Sequence, residues 1–265
     1  MADPVELEDL PASRTEPDGS AVVRLLSYNI RSLRDDRDAL VRVIRACAPD
    51  VVCVQEAPRF FRWRKKANWL ARDCGLVTVT GGRPAAGVLV MASLRARVIT
   101  AEDILLPRTP GLHQRGFATA VLGFGRTQLS VASFHLSLDG AERHDQAVAL
   151  LKRFADVGAA GEQYVVVAGD VNERPDGPSW RLLAGELQDA HAVRPWGATM
   201  TSTSACPRQR IDGIFASPAV EVLGCGVPEG LPGITEADLS AATDHRPVLA
   251  ALRLRAPAPG SGGQP

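Results

Sequence analysis

A chain of 265 residues, 45% of them hydrophobic, is long enough for one large domain or two small ones with a sizeable core. Its 30 Lys and Arg offset its 30 Asp and Glu, which argues against a basic protein that coats nucleic acid and against an acidic disordered one. The five cysteines (Cys47, Cys53, Cys74, Cys206, Cys225) are odd in number and show no Cys-x-x-Cys spacing, so neither a disulfide framework nor a thiolate zinc site is expected. No apolar run reaches the roughly 18 residues of a membrane span, and the acidic N-terminus lacks a signal-peptide core; a cytoplasmic protein without a membrane span is expected.

Residues 1–20, acidic and rich in Pro, Ser and Gly, and residues 256–265, of low complexity, read as disordered tails around one domain at 21–255. Val22 to Tyr28 reads as a strand ending on Asn29. An amphipathic helix follows at 34–47, with Leu40, Val41, Ile44 and Cys47 at helical spacing, and Asp50 to Val54 is a second buried strand ending on Gln55-Glu56. A basic aromatic run at 59–69 leads a helix to about Cys74. It is read as an amphipathic helix whose aromatic side packs on the sheet, in preference to a rim that stacks on a polyanionic substrate.

From Leu76 the pattern changes to short strands at 76–80, 86–92, 95–105, 115–123 and 127–134, the last ending on His135. A helix at 140–157 returns to the β-branched run Tyr164 to Val167, which stops at Ala168-Gly169-Asp170. In extended geometry Asp170 and Asn172 share one face and aim a carboxylate and an amide at one point; an ordinary Asx-type turn is the plain alternative. A short helix at 178–187, a strand at 210–215 interrupted by Asp212, and a last strand at 247–254 preceded by Asp244-His245 complete the chain. Strands, then helix, then strands in each half suggest two packed sheets flanked by helices.

Six apolar strands thus carry a polar residue at or beside an end: Asn29, Glu56, His135, Asp170 with Asn172, Asp212, and Asp244 with His245. Strand ends are where α/β sheets assemble sites, and an oxygen-rich set of this kind suits a hard cation such as Mg²⁺. His135 through His144 is a poor match to a binuclear zinc motif because Ser137 stands at a ligand position. His144, His113 and His191 read as surface or structural residues.

The stretches Leu26-Ser27-Tyr28-Asn29-Ile30, Val54-Gln55-Glu56, Ser133-Phe134-His135-Leu136, Ala168-Gly169-Asp170-Val171-Asn172, Arg210-Ile211-Asp212 and Thr243-Asp244-His245-Arg246-Pro247-Val248 resemble, in order, the motif blocks of the endonuclease/exonuclease/phosphatase superfamily. The resemblance implies an α/β fold, a four-layer αββα sandwich of two mixed sheets flanked by helices, and Mg²⁺-dependent hydrolysis of a phosphate ester, with Mn²⁺ as a substitute. It implies Glu56 as main metal ligand, with Asn29 and Asp244 completing the shell or reaching it through water. Asp170 would orient or deprotonate water, Asn172 would hold a phosphate oxygen, and His245 with Asp212 would act at the phosphate, with His135 as the second histidine. Arg115 is an additional phosphate contact or a solvated arginine. The strand at 86–90 lacks an Asn often found there in the family.

The expected substrate is a phosphate ester, small molecule or nucleic acid, handled by a monomer. A hydrolase of small phosphate mono- or diesters is the first reading. A nuclease or DNA-repair phosphodiesterase is the alternative, and a non-catalytic module of the same fold is disfavoured because no catalytic-type position is visibly lost.

Overall fold

The computed structural model describes residues 10–159 and 164–257. In chain order they form β1 (Arg14–Thr15), β2 (Ala21–Asn29), α1 (Arg37–Cys47), β3 (Val51–Gln55), α2 (Trp63–Asp73), β4 (Val77–Gly82), β5 (Val88–Ala92), β6 (Arg97–Leu105), β7 (Gly116–Phe124), β8 (Thr127–His135), α3 (Gly140–Ala159), β9 (Tyr164–Asp170), α4 (Pro178–Glu186), β10 (Gln188–Asp189), α5 (Ala190–Val193), β11 (Asp212–Ala216), β12 (Glu221–Gly226), α6 (Glu236–Ala242) and β13 (Val248–Leu254). The first sheet runs β12-β13-β2-β3-β5-β4 with β1 on β2, and the second β10-β11-β9-β8-β7-β6. Each sheet has one parallel pair near its middle, β2 with β3 and β8 with β9, joined through α1 and α3; their other pairings are antiparallel.

Alternation along the strands builds three layers of packing. Inward residues Ala21, Val23 and Leu25 of β2, Leu129 and Val131 of β8, and Tyr164, Val166 and Ala168 of β9 meet in the core between the sheets. Outward residues Leu26 and Tyr28 pack with Val52 and Val54 under α1 and α2, and Phe134, Val165, Val167 and Phe215 pack under α3 and α4. Continuing the inward parity of β2, β8 and β9 leads to Asn29, His135 and Asp170. The face that is apolar for most of each strand therefore becomes the wall of the site at its end.

Just beneath that end the two sheets are joined by hydrogen bonds. Ser133 Oγ donates to Val54 O at 2.9 Å and accepts from Gln55 Nε2 at 3.2 Å, and Cys53 Sγ reaches Ala132 O at 3.7 Å; within the first sheet Ser27 Oγ donates to Gln55 Oε1 at 3.5 Å. Buried polar groups placed so are tolerated because each finds a partner.

Four boundaries differ from expectation. α1 begins at Arg37 because Asp36 caps it, accepting from the amides of Asp38 and Ala39, while 31–33 form a separate 3-10 turn. β5 starts at Val88 because Ala86 and Gly87 turn with positive φ. The segment expected to be disordered through residue 20 is tied down from Leu10, which is buried. The Arg24 guanidinium donates to Leu10 O and Pro11 O, and β1 pairs with β2. Composition hides this anchoring, since one apolar side chain and main-chain acceptors supply it. The expected C-terminal tail from 256 likewise starts tied down, Ala256 N donating to Ser20 Oγ at 2.8 Å, and the rest of the two expected tails, 1–9 and 258–265, lies outside the described residues.

Candidate active site

Asp170 is the hub. It is the last residue of β9, buried, and pairs across the ladder with Asp212, the first residue of antiparallel β11. One carboxylate oxygen, Oδ2, lies 3.1 Å from Asn29 Nδ2, 3.4 Å from His135 Nε2 and 3.8 Å from His245 Nε2; the other, Oδ1, accepts the Asn172 amide at 2.9 Å. His245 Nδ1 is 2.9 Å from Asp212 Oδ2, and Asp212 Oδ1 is buried with no hydrogen-bond partner among the described residues. Asn29 and His245 belong to the first sheet and its approach to β13, whereas Asp170, Asp212 and His135 belong to the second. The site thus straddles the seam.

Glu56 breaks the strand parity. It follows inward-facing Gln55 by one residue, so continued extension would turn it to the helix layer; a left-handed backbone (φ 52) instead brings it to the cleft, with Oε1 3.3 Å from Asn29 Nδ2. Asn172 reaches the cleft in the same way. The strand ends at Asp170 and Asn172 is left-handed (φ 56), so its common aim with Asp170 comes from a turn and not from the extended geometry expected. Its Nδ2 donates one hydrogen to Leu136 O at 3.0 Å, leaving the other for a ligand.

Asp244 stands apart. Its half-exposed carboxylate meets Arg31 Nε at 3.3 Å and accepts from Thr243 Oγ1 at 3.3 Å, and it does not line the cleft.

The cleft has a volume of about 410 Å³ and takes in Glu56, Arg115, His135, Asp170, Asn172 and His245. Arg115 is mostly buried, its Nε has no partner among the described residues, and burial lowers its pKa against the pull of Asp170 and Glu56. Arg59, His113, Ser32 and Arg34 also line the wall and were not singled out for the site from sequence. The Arg59 guanidinium donates to Ala86 O at 3.3 Å and lies across Gly87, where a Cβ would come within 2.8 Å of its Cδ. It occupies the wall where the family Asn is missing. His144 is exposed on α3 and His191 sits beside Thr199, away from the cleft. A second cleft of about 420 Å³, between α3, α4 and the start of β9, is mainly apolar and holds no part of this constellation.

Burial lowers the pKa of His245, but Asp212, Asp170 and Asp244 outweigh it and raise it to about 10. Burial and the Asp212 charge raise Asp170, against the opposing effects of His245, Asn172 and Asn29. His135 is pushed well below the ordinary imidazole range by burial and by Arg115, so its contact with Asp170 is that of a neutral ring and not an ion pair. Thr201, fully buried, accepts at Oγ1 from the amides of Ile211 and Asp212 (3.1 and 3.3 Å), and its carbonyl accepts from Arg246 N at 2.7 Å. It therefore fixes the backbones of both members of the His245–Asp212 pair. Nothing in its loop, Met200-Thr201-Ser202-Thr203-Ser204, marks it out in sequence.

Three carboxylates, Glu56, Asp170 and Asp212, crowd one wall with an amide and no thiolate. Burial, and after it the neighbouring Asp212 charge, raise Asp170, and an oxygen-rich set of this kind fits a hard divalent cation. Glu56, which lines the cleft, and buried Asn29, whose amide lies 3.3 Å from the Glu56 carboxylate, are residues that could hold it. Ligand atoms of Asp170, Asp212 and His245 also lie within 4.8 Å of one another, so this trio is a second set able to hold a cation.

A family model for the endonuclease/exonuclease/phosphatase family matches residues 26–245. The chain belongs to the endonuclease/exonuclease/phosphatase family. Members of this family are phosphoesterases and nucleases, and the family is usually divalent-metal dependent. The chain is similar in structure to a family member from Bacteroides vulgatus (20% identity, 88% of this chain and 99% of that one, TM-score 0.73). It is also similar to a mannosyl-6-phosphatase from Bacteroides thetaiotaomicron (17%, 87% and 99%, TM-score 0.72) and to a truncated TDP2 from Caenorhabditis elegans (17%, 87% and 97%, TM-score 0.65). At these identities the likeness shows the fold, which is the sandwich of two mixed sheets and flanking helices that the motif blocks implied. No curated protein matches the chain. Among the described residues of this family member no helix is long and apolar enough to cross a membrane.

Proposed function

We propose that the protein is a metal-dependent hydrolase of phosphate esters. The observation that carries this reading is the convergence on Asp170 of Asn29, His135 and His245, beside a cleft carboxylate at Glu56 and a cleft cation at Arg115. Bound at Glu56 and Asn29, Mg²⁺ or Mn²⁺ supplies charge neutralisation at a phosphate oxygen.

The chain's own groups account for the rest. Asp170, raised toward neutrality, holds a water by one proton and accepts that proton as the water oxygen bonds to phosphorus. The free N–H of Asn172 and the Arg115 guanidinium donate to the non-bridging oxygens. His245, protonated near neutral pH, donates from Nε2 to phosphate or leaving group while Asp212 fixes its tautomer through Nδ1. As the ester bond breaks, the leaving oxygen takes a proton, so charge is balanced across the step. His135 stays neutral and orients Asp170.

A cleft of about 410 Å³ in a chain of zero net charge favours an ester with a small leaving group over a long polynucleotide. The test is a panel of bis-p-nitrophenyl phosphate, sugar phosphates, single-stranded DNA, abasic duplex and phospholipid, assayed with Mg²⁺, with Mn²⁺ and with EDTA. Hydrolysis of the small esters that is lost with EDTA and restored by metal is expected. Undiminished turnover in metal-free protein would refute metal dependence, and selective turnover of DNA would move the reading to a nuclease.

A further inference from the structure

The aromatic run beside the cleft divides in two. Trp63 packs against Gly82, where a Cβ would come within 2.4 Å of its ring, and Trp69 packs into the layer under α2. Phe60 and Phe61, between them and the cleft residue Arg59, are 79% and 78% exposed and join no core cluster. The sequence reading of an aromatic side packed on the sheet therefore holds for the tryptophans and not for the phenylalanines. Nothing in the packing requires two adjacent rings in water, and an exposed apolar pair at the mouth of a site marks a contact surface.

Charge identifies the partner. Between Glu56 and Asp73 the chain has no acidic residue, while Arg59, Arg62, Arg64, Lys65 and Lys66 surround the pair within eight positions. Arg59 stands 5.9 Å from the Phe60 ring centroid and Arg62 stands 5.0 Å from that of Phe61, so these two cations sit at the apolar tip, while Arg64 follows on the first turn of α2, 4.3 Å from the Trp63 ring centroid. A polynucleotide would need cations spaced along several phosphates, and the remaining charge of the chain sums to no basic excess. An anionic bilayer takes both features in one place, with rings seated among the acyl chains near the headgroups and guanidinium and ammonium groups at the headgroup level. Two further exposed apolar side chains, Leu105 (57%) at the end of β6 and Leu138 (71%) on the loop after β8, stand at this end of the sandwich: Leu105 pairs with Gly116, next to Arg115, and Leu138 lines the cleft with Arg59.

We propose that the Phe60-Phe61 tip with its basic surround is a docking element for an anionic lipid surface, holding the cleft mouth against the bilayer. The inference does not depend on the hydrolase reading, because docking requires neither metal nor turnover. It is measured by co-sedimentation of the full chain with phosphatidylcholine vesicles, with and without phosphatidylglycerol, in EDTA. Binding should be at least about tenfold stronger to the phosphatidylglycerol vesicles at low salt and should weaken as salt rises.

The double variant Phe60→Ser/Phe61→Ser should bind these vesicles about tenfold more weakly or worse, since each ring loses its apolar burial. Its unfolding temperature and its turnover of a soluble phosphate ester should match wild type. Arg64→Glu/Lys65→Glu should abolish the preference for anionic vesicles. Leu94→Ser, equally exposed but beyond the far end of β5, should change nothing. Absence of vesicle binding, or binding indifferent to the phenylalanines, would overturn the proposal. So would tighter binding of a labelled single-stranded oligonucleotide that the same double variant loses, which would assign the tip to nucleic acid.

Discussion

The substitution Asp212→Asn isolates the charge that sets the state of His245. The two are the same size, and the site holding Asp212 is buried, so the variant keeps packing and can keep a hydrogen bond to Nδ1 while removing a unit of charge 2.9 Å from the ring. Raising the imidazole from 6.5 to about 10 corresponds to roughly 5 kcal/mol of preference for the protonated ring. Asp212 is the nearest of the three carboxylates responsible, so its loss should return the larger part, roughly 3 kcal/mol, and bring His245 most of the way back to the ordinary imidazole range.

The sign for stability follows. A histidine raised on folding adds stability that is complete below about pH 6.5 and is lost as pH rises through about 10. Metal-free wild type should therefore lose unfolding temperature steadily between those limits, and Asp212→Asn should show a much flatter profile. The decisive assay is an NMR titration of the His245 ring with parallel thermal melts across that range. kcat for the best ester should drop by about 10² at neutral pH. An imidazole that titrates in the variant as it does in wild type would refute the assignment of Asp212 as its counter-charge.

Asp170→Asn should lower kcat by roughly 10² or more with little change in KM, measured by steady-state kinetics, and near-normal turnover would show that water is activated elsewhere. Glu56→Gln should weaken Mg²⁺ affinity, read by calorimetry, while the melt of the metal-free protein stays near wild type, because the residue lies past the strand end and outside the core. Thr201→Val should cost about 1–3 kcal/mol by stranding two buried amides and should also lower kcat, whereas Thr201→Ser should restore both. Anisotropy titration of a labelled duplex with Asp170→Asn should give a salt slope equivalent to fewer than about five phosphate contacts.

Much of the site was legible because strand parity carries chemistry in register. Asn29, His135 and Asp170 each stand at the end of a largely apolar strand with the inward parity of its core residues, directly after Ala168 for Asp170 and one polar step on, past Ser27 and Ser133, for the other two. Asp212 and His245 were legible for the complementary reason, the one opening β11 and the other lying just before β13, strands that run antiparallel to those neighbours. What alternation could not give was any residue placed by a left-handed backbone. Glu56 and Asn172 were found by motif, while the geometry that delivers them is set by positive φ at non-glycine positions, for which sequence offers no periodic signal. Arg59, His113 and Thr201 come from loops, whose paths are fixed by contacts distant in sequence. The anchoring of residues 10–20 was invisible for the same reason.

The hydrogen bond from Ser133 to Val54 gives the two sheets a fulcrum. On one side lie the reacting groups, two residues away at His135; on the other, β8 extends back to Thr127, a span of about 20 Å at strand rise. A lever so divided turns a modest change in sheet spacing at the far end into a small, directed displacement at the near end. In the proposed mechanism the cation would rest on Asn29 and Glu56 of the first sheet's end, and water activation on Asp170 of the second's. Trimming a far-end side chain such as Phe124 or Leu129 should therefore detune turnover while leaving metal affinity in place, and this offers a way to adjust the rate without altering any residue that lines the cleft.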